Sequence, residues 1–174
     1  MTKSLADLSK LSKYEQLLLL ILSKLDNKLE GRKKFWKILY FLDFDMFEYS
    51  DRPLTGDTYT KWNMGPKPVN LDDKLTTLKT KGVIDIESKN TYGLGYKDTK
   101  IYKLKKPLND KEIKYLESVF DKKEKFIIER DIKLYGNKNG RELELLSQQE
   151  APYNAVELYQ VMDYELSYYR DTQF

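Results

Sequence analysis

The stretch whose reading decides this fold is Lys37 to Pro66, KILYFLDFDMFEYSDRPLTGDTYTKWNMGP. It lies in a segment crowded with Phe35, Trp36, Ile38, Leu39, Tyr40, Phe41, Leu42, Phe44, Met46 and Phe47, predicted to form a helix from about Arg32 to Tyr49. A helix that is apolar nearly all round is buried by neighbours on most sides, so this is the expected central helix of the molecule. Thr55-Gly56-Asp57 then makes a turn, a short extended piece lies around Tyr59, and Gly65-Pro66 punctuates a second turn.

Working outward, the pattern is mostly helical with one β-ribbon. Ser12 with Glu15 has the form of a capping box and opens a helix through about Asp26. Asn70 with Asp73 begins another, LDDKLTTLKTK, closed by Gly82, a residue suited to the left-handed cap. Val83 to Glu87 and Lys100 to Lys105 alternate in the manner of strands, and the Gly/Asn/Lys-rich stretch Ser88 to Thr99 joins them. A helix that ends at Gly and runs straight into a hairpin has the outline of a winged-helix unit. Asn109 with Glu112 starts a long helix, with room for a break, that reaches Gly136; a short helix from Arg141 to about Gln149 leads to Pro152. In the tail, Ala155, Leu158, Tyr159, Met162, Leu166 and Tyr169 form one apolar stripe at helical spacing, which docks on the chain's own core or serves a partner contact. The expected class is therefore α+β, mainly α: a helical core with a winged-helix-like β-hairpin between the third and fourth helices. Residues 1–153 are expected to form one domain, and residues 154–174 a C-terminal amphipathic helical extension of it.

Composition sets outer limits. A chain of 174 residues is about one domain long, and its 40% apolar content is enough for a sizeable core. The absence of Cys removes disulfides, thiolate metal sites and a cysteine nucleophile. The absence of His removes the commonest general base and the commonest transition-metal ligand together. A net charge of +3 is too small to argue nucleic-acid binding by itself, but it is unevenly spread. From Arg141 onward, two basic and seven acidic residues give −5, leaving +8 on the first 140. The longest apolar run, Leu17 to Leu22, is six residues, far short of the roughly 20 that a membrane span needs. A cytoplasmic protein without a membrane partner is expected.

The decisive stretch carries Lys37, Leu39, Tyr40 and Asp43, then Pro53, Leu54, Thr55, Gly56, Asp57 and Tyr59, then Gly65-Pro66. Those pieces, in that order, resemble the SocA-like antitoxin domain, also called the Panacea domain, of bacterial and phage toxin–antitoxin pairs. The family pattern is K-x-L-Y-x-x-D on a helix, then P-[LI]-[TS]-G-D-x-Y, then G-P. A later segment, Ser147 to Tyr153, matches at Ser147 and Pro152 but has Gln148 where His is usual and Tyr153 where Trp is usual. The resemblance covers about Tyr14 to Tyr153. It implies an antitoxin that neutralises a cognate protein toxin by direct binding, or also by handing the toxin to a protease. It also implies structural roles for Lys37, Leu39, Tyr40, Asp43, Pro53, Gly56, Asp57 and Pro152. Because Gln148 does not titrate, the position suits packing or recognition rather than proton transfer.

Enzymatic readings find little footing. Without His or Cys, the Ser-His-Asp and Cys-His triads are impossible, and no phosphate-cradling or dinucleotide motif appears. The sharpest match is Glu87-Ser88-Lys89 with Asp72 or Asp73 upstream, the E-x-K form of Mg²⁺-dependent nucleases. A third of this chain is charged, so such a triplet arises by chance, and those Asp residues sit on a helix. Asp43, Asp45 and Asp57 as a hard-metal site fare no better, since residues two apart on a helix diverge. No catalytic residue, cofactor or metal is expected.

A winged-helix transcriptional regulator is the stronger rival. Lys97, Lys100, Lys103, Lys105 and Lys106 on the hairpin, with Arg32, Lys33, Lys34 and Lys37 on the central helix, offer phosphate contacts. The helix that would read bases, Asn70 to Lys81, has no Arg and no Asn or Gln beyond its cap, so weak non-specific binding is the most to expect.

Partner binding is the function that the aromatic content favours. The chain has 14 Tyr, and Tyr is enriched at interface centres. The candidate contact residues are Trp62, Asn63, Gly65 and Pro66 at the turn, Tyr92 and Tyr96 in the hairpin loop, and Tyr153. The partner that the resemblance implies is a cognate toxin, and a homodimer contact is the alternative use of the tail.

Overall fold

The structure, a computed structural model, describes residues 5–171. Residues 1–4 of the expected domain and 172–174 of its tail lie outside the described residues. The helices are α1 (Leu5–Leu8), α2 (Lys13–Lys24), α3 (Arg32–Ser50), α4 (Leu71–Thr80), α5 (Asp110–Ser118), α6 (Lys122–Tyr135), α7 (Gly140–Gln148) and α8 (Ala151–Asn154). The strands are β1 (Lys28–Glu30), β2 (Tyr59–Trp62), β3 (Gly65–Pro68), β4 (Ile84–Lys89), β5 (Thr99–Leu104) and β6 (Val161–Met162). With 52% helix and small antiparallel sheets, this is an α+β fold, mainly α. The chain parts into two compact units, each made of two segments: Met1–Arg32 with Asp72–Asp121, and Lys33–Leu71 with Lys122–Phe174.

In the first unit, α2 opens on the expected capping box: Glu15 N–H donates to Ser12 Oγ at 3.2 Å and Ser12 N–H to Glu15 Oε2 at 2.8 Å. Its run from Leu17 to Leu22 is buried at every position. The Asn109–Glu112 box opens α5 in the same way. The helix expected to run from there to Gly136 is interrupted at residues 119–121, where the chain passes from one unit to the other. After α4, Gly82 at φ +67° turns the chain into β4. The β4–β5 hairpin has the register Ile84↔Leu104 to Lys89↔Thr99, and β1 adds to the other edge of β5 through Leu29↔Tyr102. Leu29, Ile84, Tyr102 and Leu104 are the buried residues of this sheet. β1 has no sequence signal, because three residues are too few to display alternation.

In the second unit, α3 is the buried central helix: every residue from Phe35 to Met46 is buried. That continuous run includes Lys37, Asp43 and Asp45, so three charged side chains lie in the core beside the aromatics. The second sheet has the order β3-β2-β6. Two expectations are corrected here. Gly65-Pro66 is not a turn: Trp62 pairs with Gly65, the turn is Asn63-Met64, and Gly65 begins β3 at φ +97°. β3 is an edge strand, which is where Pro66 and Pro68 can sit without costing the sheet a donor. The tail is not an amphipathic α-helix either. Val161-Met162 pairs with Tyr59-Thr60 as β6, and Tyr164–Tyr169 is a 3₁₀ helix. The pairing with β2 and a reversal at Tyr159 (φ +66°) override the helical spacing. Tyr164 still docks inward, packing on Phe44 and Phe47, while Tyr159, Tyr168 and Tyr169 are exposed.

Candidate functional site

The motif residues converge on a buried polar framework in the second unit. Asp43 accepts from Thr55 N–H at 2.6 Å, from Thr55 Oγ1, and from Tyr59 O–H at 2.6 Å. Burial pushes its carboxyl up to about 6, and these hydrogen bonds hold it back from going further. Asp57 accepts from the backbone and side-chain amides of Asn70 at 3.1 and 2.9 Å, while its carbonyl accepts from Tyr164 O–H. The pro-gly-asp stretch is thereby tied to α3, to β2 and to the tail. Leu39, Tyr40 and Pro152 are buried, Pro53 is half-buried, and Gly56 is exposed at φ +72°.

Lys37 is buried completely, its Nζ 3.4 Å from the Pro66 carbonyl and 5.1 Å from the centre of the Trp36 ring. Burial pushes the ammonium down to about 7, against the attraction of Glu144. The Gln148 amide donates to the Asn63 carbonyl at 2.9 Å and Tyr153 O–H to the Trp62 carbonyl at 2.7 Å. The segment that departs from the family pattern therefore clamps the β2–β3 turn through these hydrogen bonds, with Lys61 Nζ 4.5 Å from the centre of the Tyr153 ring.

A second cluster joins α3 to α6, α8 and the tail. Asp45 receives Arg130 at 2.9 Å and also Arg170, whose guanidinium reaches Glu150 at 2.9 Å and Glu48 at 3.2 Å. Tyr40 O–H donates to Glu150 at 2.6 Å. Burial, with the neighbouring Asp45, pushes the Asp131 carboxyl well up, and Arg130 beside it pulls the other way. The pairing of Asp45 with Arg170 was not legible in the sequence, because nothing local marks a partner 125 residues away.

The sequence-predicted contact residues divide by burial. Tyr92 and Tyr96 are 69% and 68% exposed, with Leu94 fully exposed between them. Their rings lie 6.0 Å apart on a loop whose Gly93 and Gly95 take positive φ. Among the described residues of the first unit, these three are the large apolar side chains that stand exposed. In the second unit, Asn63 is exposed and Trp62 half-buried, with Lys67 Nζ 4.3 Å from its ring centre and Tyr159 against its edge. Gly65, Pro66 and Tyr153 are buried.

Several residues of the rival readings have partners within the fold. Glu87 pairs with Lys103, Asp85 with Lys105 at 3.9 Å, and Asp72 with Arg32 at 3.8 Å. Among the described residues, no three acidic side chains gather as a metal ion would need. Lys100 donates to Ser88 at 2.6 Å, Lys34 to the Gly136 carbonyl at 2.6 Å, and Lys37 cannot reach solvent. No helix among the described residues is long and apolar enough to cross a membrane.

The motif residues Lys37, Asp43 and Asp57 are thus buried in contacts within the fold, while Tyr92, Leu94 and Tyr96 are exposed on a loop. Residues 35–153, more than half of the chain, match the family model described as antitoxin SocA-like, Panacea domain, and the chain belongs to that family. No curated protein and no solved structure matches it.

Proposed function

We propose that this chain neutralises a cognate protein toxin by binding it directly and covering its working surface. Family membership is the observation that carries the reading. The placement of side chains supports it. The titratable motif residues Lys37, Asp43 and Asp57 are buried in structural contacts. What faces outward is suited to recognition: Tyr92, Leu94 and Tyr96 on one loop, and Trp62 with Asn63 on the β2–β3 turn. Aromatic anchors of this kind dominate binding energy at interfaces. The net charge of −5 from Arg141 onward would favour a basic toxin face at that segment.

The test is co-expression with the neighbouring gene. Growth arrest by that gene alone, relieved when this chain is present, is the expected result. A neighbour that is harmless alone, or toxic and not relieved, removes the reading.

A further inference from the structure

The second unit has an open groove of about 500 Å³ where the last turns of α6 and α7 meet the start of α8 and the end of the 3₁₀ helix. Its walls are apolar and face solvent: Leu134 is 45% exposed, Leu146 36% and Tyr169 77%. Its floor carries Tyr135, Glu150 and Arg170. Arg170 is occupied from within by Asp45, Glu48 and Glu150, and Arg130 by Asp45 and Asp131. Four acidic side chains, Asp45, Glu48, Asp131 and Glu150, thus face two guanidiniums. Glu150 is the member of that cluster lining the groove, its side chain 20% exposed. Each of its oxygens already accepts one hydrogen bond, from Tyr40 at 2.6 Å and from Arg170 at 2.9 Å, and each retains a lone pair. The carboxyl-terminal ends of two helices, of 14 and nine residues, add partial negative charge to the same rim. Lys138 on the rim is the opposing charge.

We infer that this groove receives a basic amphipathic segment of a partner protein. Apolar side chains of that segment pack on Leu134, Leu146 and Tyr169, and a Lys or Arg lies over the Glu150 carboxylate. Charge complementarity selects this occupant: an acidic segment would meet Glu150 and two helix carboxyl ends, and a purely apolar one would cover the open lone pairs of Glu150 without offering a donor. The inference rests on the reading of the chain as a protein-binding module and locates a second contact surface, separate from the Tyr92–Tyr96 loop.

The probe is a fluorescein-labelled helical peptide with Leu on one face and Lys on the other, compared with its Leu/Glu counterpart by anisotropy. The Lys peptide should bind and the Glu peptide should not. Tyr169→Ser and Leu146→Asn, both at exposed positions, should each weaken binding about tenfold with unchanged melting. Failure of the Lys peptide to bind, equal binding of both peptides, or indifference to both substitutions would overturn the proposal. A dimer that Tyr169→Ser dissolves in sedimentation would also overturn it, by making a second copy of the chain the occupant. Relief of growth arrest by the unaltered chain is scored separately, so a failed groove and a failed antitoxin reading give different results.

Discussion

Lys37 and Gly65 compete for one space: a methyl group placed on Gly65 would overlap Lys37 Cε and lie 3.0 Å from Nζ and 3.1 Å from Ser147 Oγ. The long stem of a buried lysine thus fills the volume that the glycine leaves empty. Two residues 28 apart in the motif are one packing unit. Gly65→Ala should cost about 2–4 kcal/mol, combining steric overlap with a φ of +97° that Ala resists. Shortening Lys37 in the same chain should return part of that loss. Urea unfolding of Gly65→Ala, Lys37→Ala and the double variant measures the coupling, and simple additivity would show that the two sites are independent.

Lys37 also sets a dependence on pH. Its ordinary value of 10.5 falls to about 7 in the fold, chiefly by burial. The folded state therefore releases this proton more easily than the unfolded chain does. Its contribution to stability is full above the unfolded value and is lost as pH falls from there to about 7. Between pH 7 and 9.5, stability should rise by as much as about 1.4 kcal/mol per unit. In Lys37→Met the slope should flatten. Urea midpoints across that range decide it, and a slope unchanged by the substitution would show that another group is responsible.

Arg170 faces Asp45, Glu48 and Glu150 from a side chain only 2% exposed. Arg170→Met leaves those carboxylates buried without their cation, and removing one partner of a buried pair costs about 3–5 kcal/mol. The tail should detach before the remainder unfolds. Limited proteolysis should then cut between Asp163 and Asp171 at denaturant concentrations where the unaltered chain resists.

The loop tip should behave in the opposite way. Replacing Tyr92, Leu94 and Tyr96 together by Ser removes side chains that touch little else, so melting should move by no more than about 0.5 kcal/mol. Neutralisation should weaken by about 2 kcal/mol or more, the usual cost of truncating interface aromatics. Leu39→Ala, wholly buried in α3, supplies the contrast: about 2–5 kcal/mol of lost stability through a cavity. Full relief of growth arrest by the loop variant would move the binding surface elsewhere.

Much of the fold was legible where local chemistry dictates local structure. The Ser12–Glu15 and Asn109–Glu112 boxes, the Gly82 stop and the alternation in β4 and β5 all appear where those signals place them. Asn139–Glu142 is a third box of the same form, opening α7 one residue before the expected start, and it went unread. Long-range pairing is what local signals do not carry. Gly-Pro is a turn signal by composition, but at Gly65-Pro66 the register with β2 decides. The tail's apolar spacing is real, yet β-pairing to Tyr59-Thr60 bends the chain away from a helix. Of the candidate contact residues, the loop tyrosines are exposed and Tyr153 is not, since its hydroxyl is drawn inward to the Trp62 carbonyl.

The Asp45–Arg170 pair has a consequence for the order in which the molecule can be made. The carboxylate leaves the ribosome early, on the buried central helix α3, and its guanidinium partners follow 85 and 125 residues later. Until residue 130 has emerged, burying α3 means burying an unpaired charge, so the nascent chain keeps its aromatic helix unsheltered. A product that ends short of residue 170 lacks the second cation facing Asp45, and its second unit closes at a cost of about 3–5 kcal/mol.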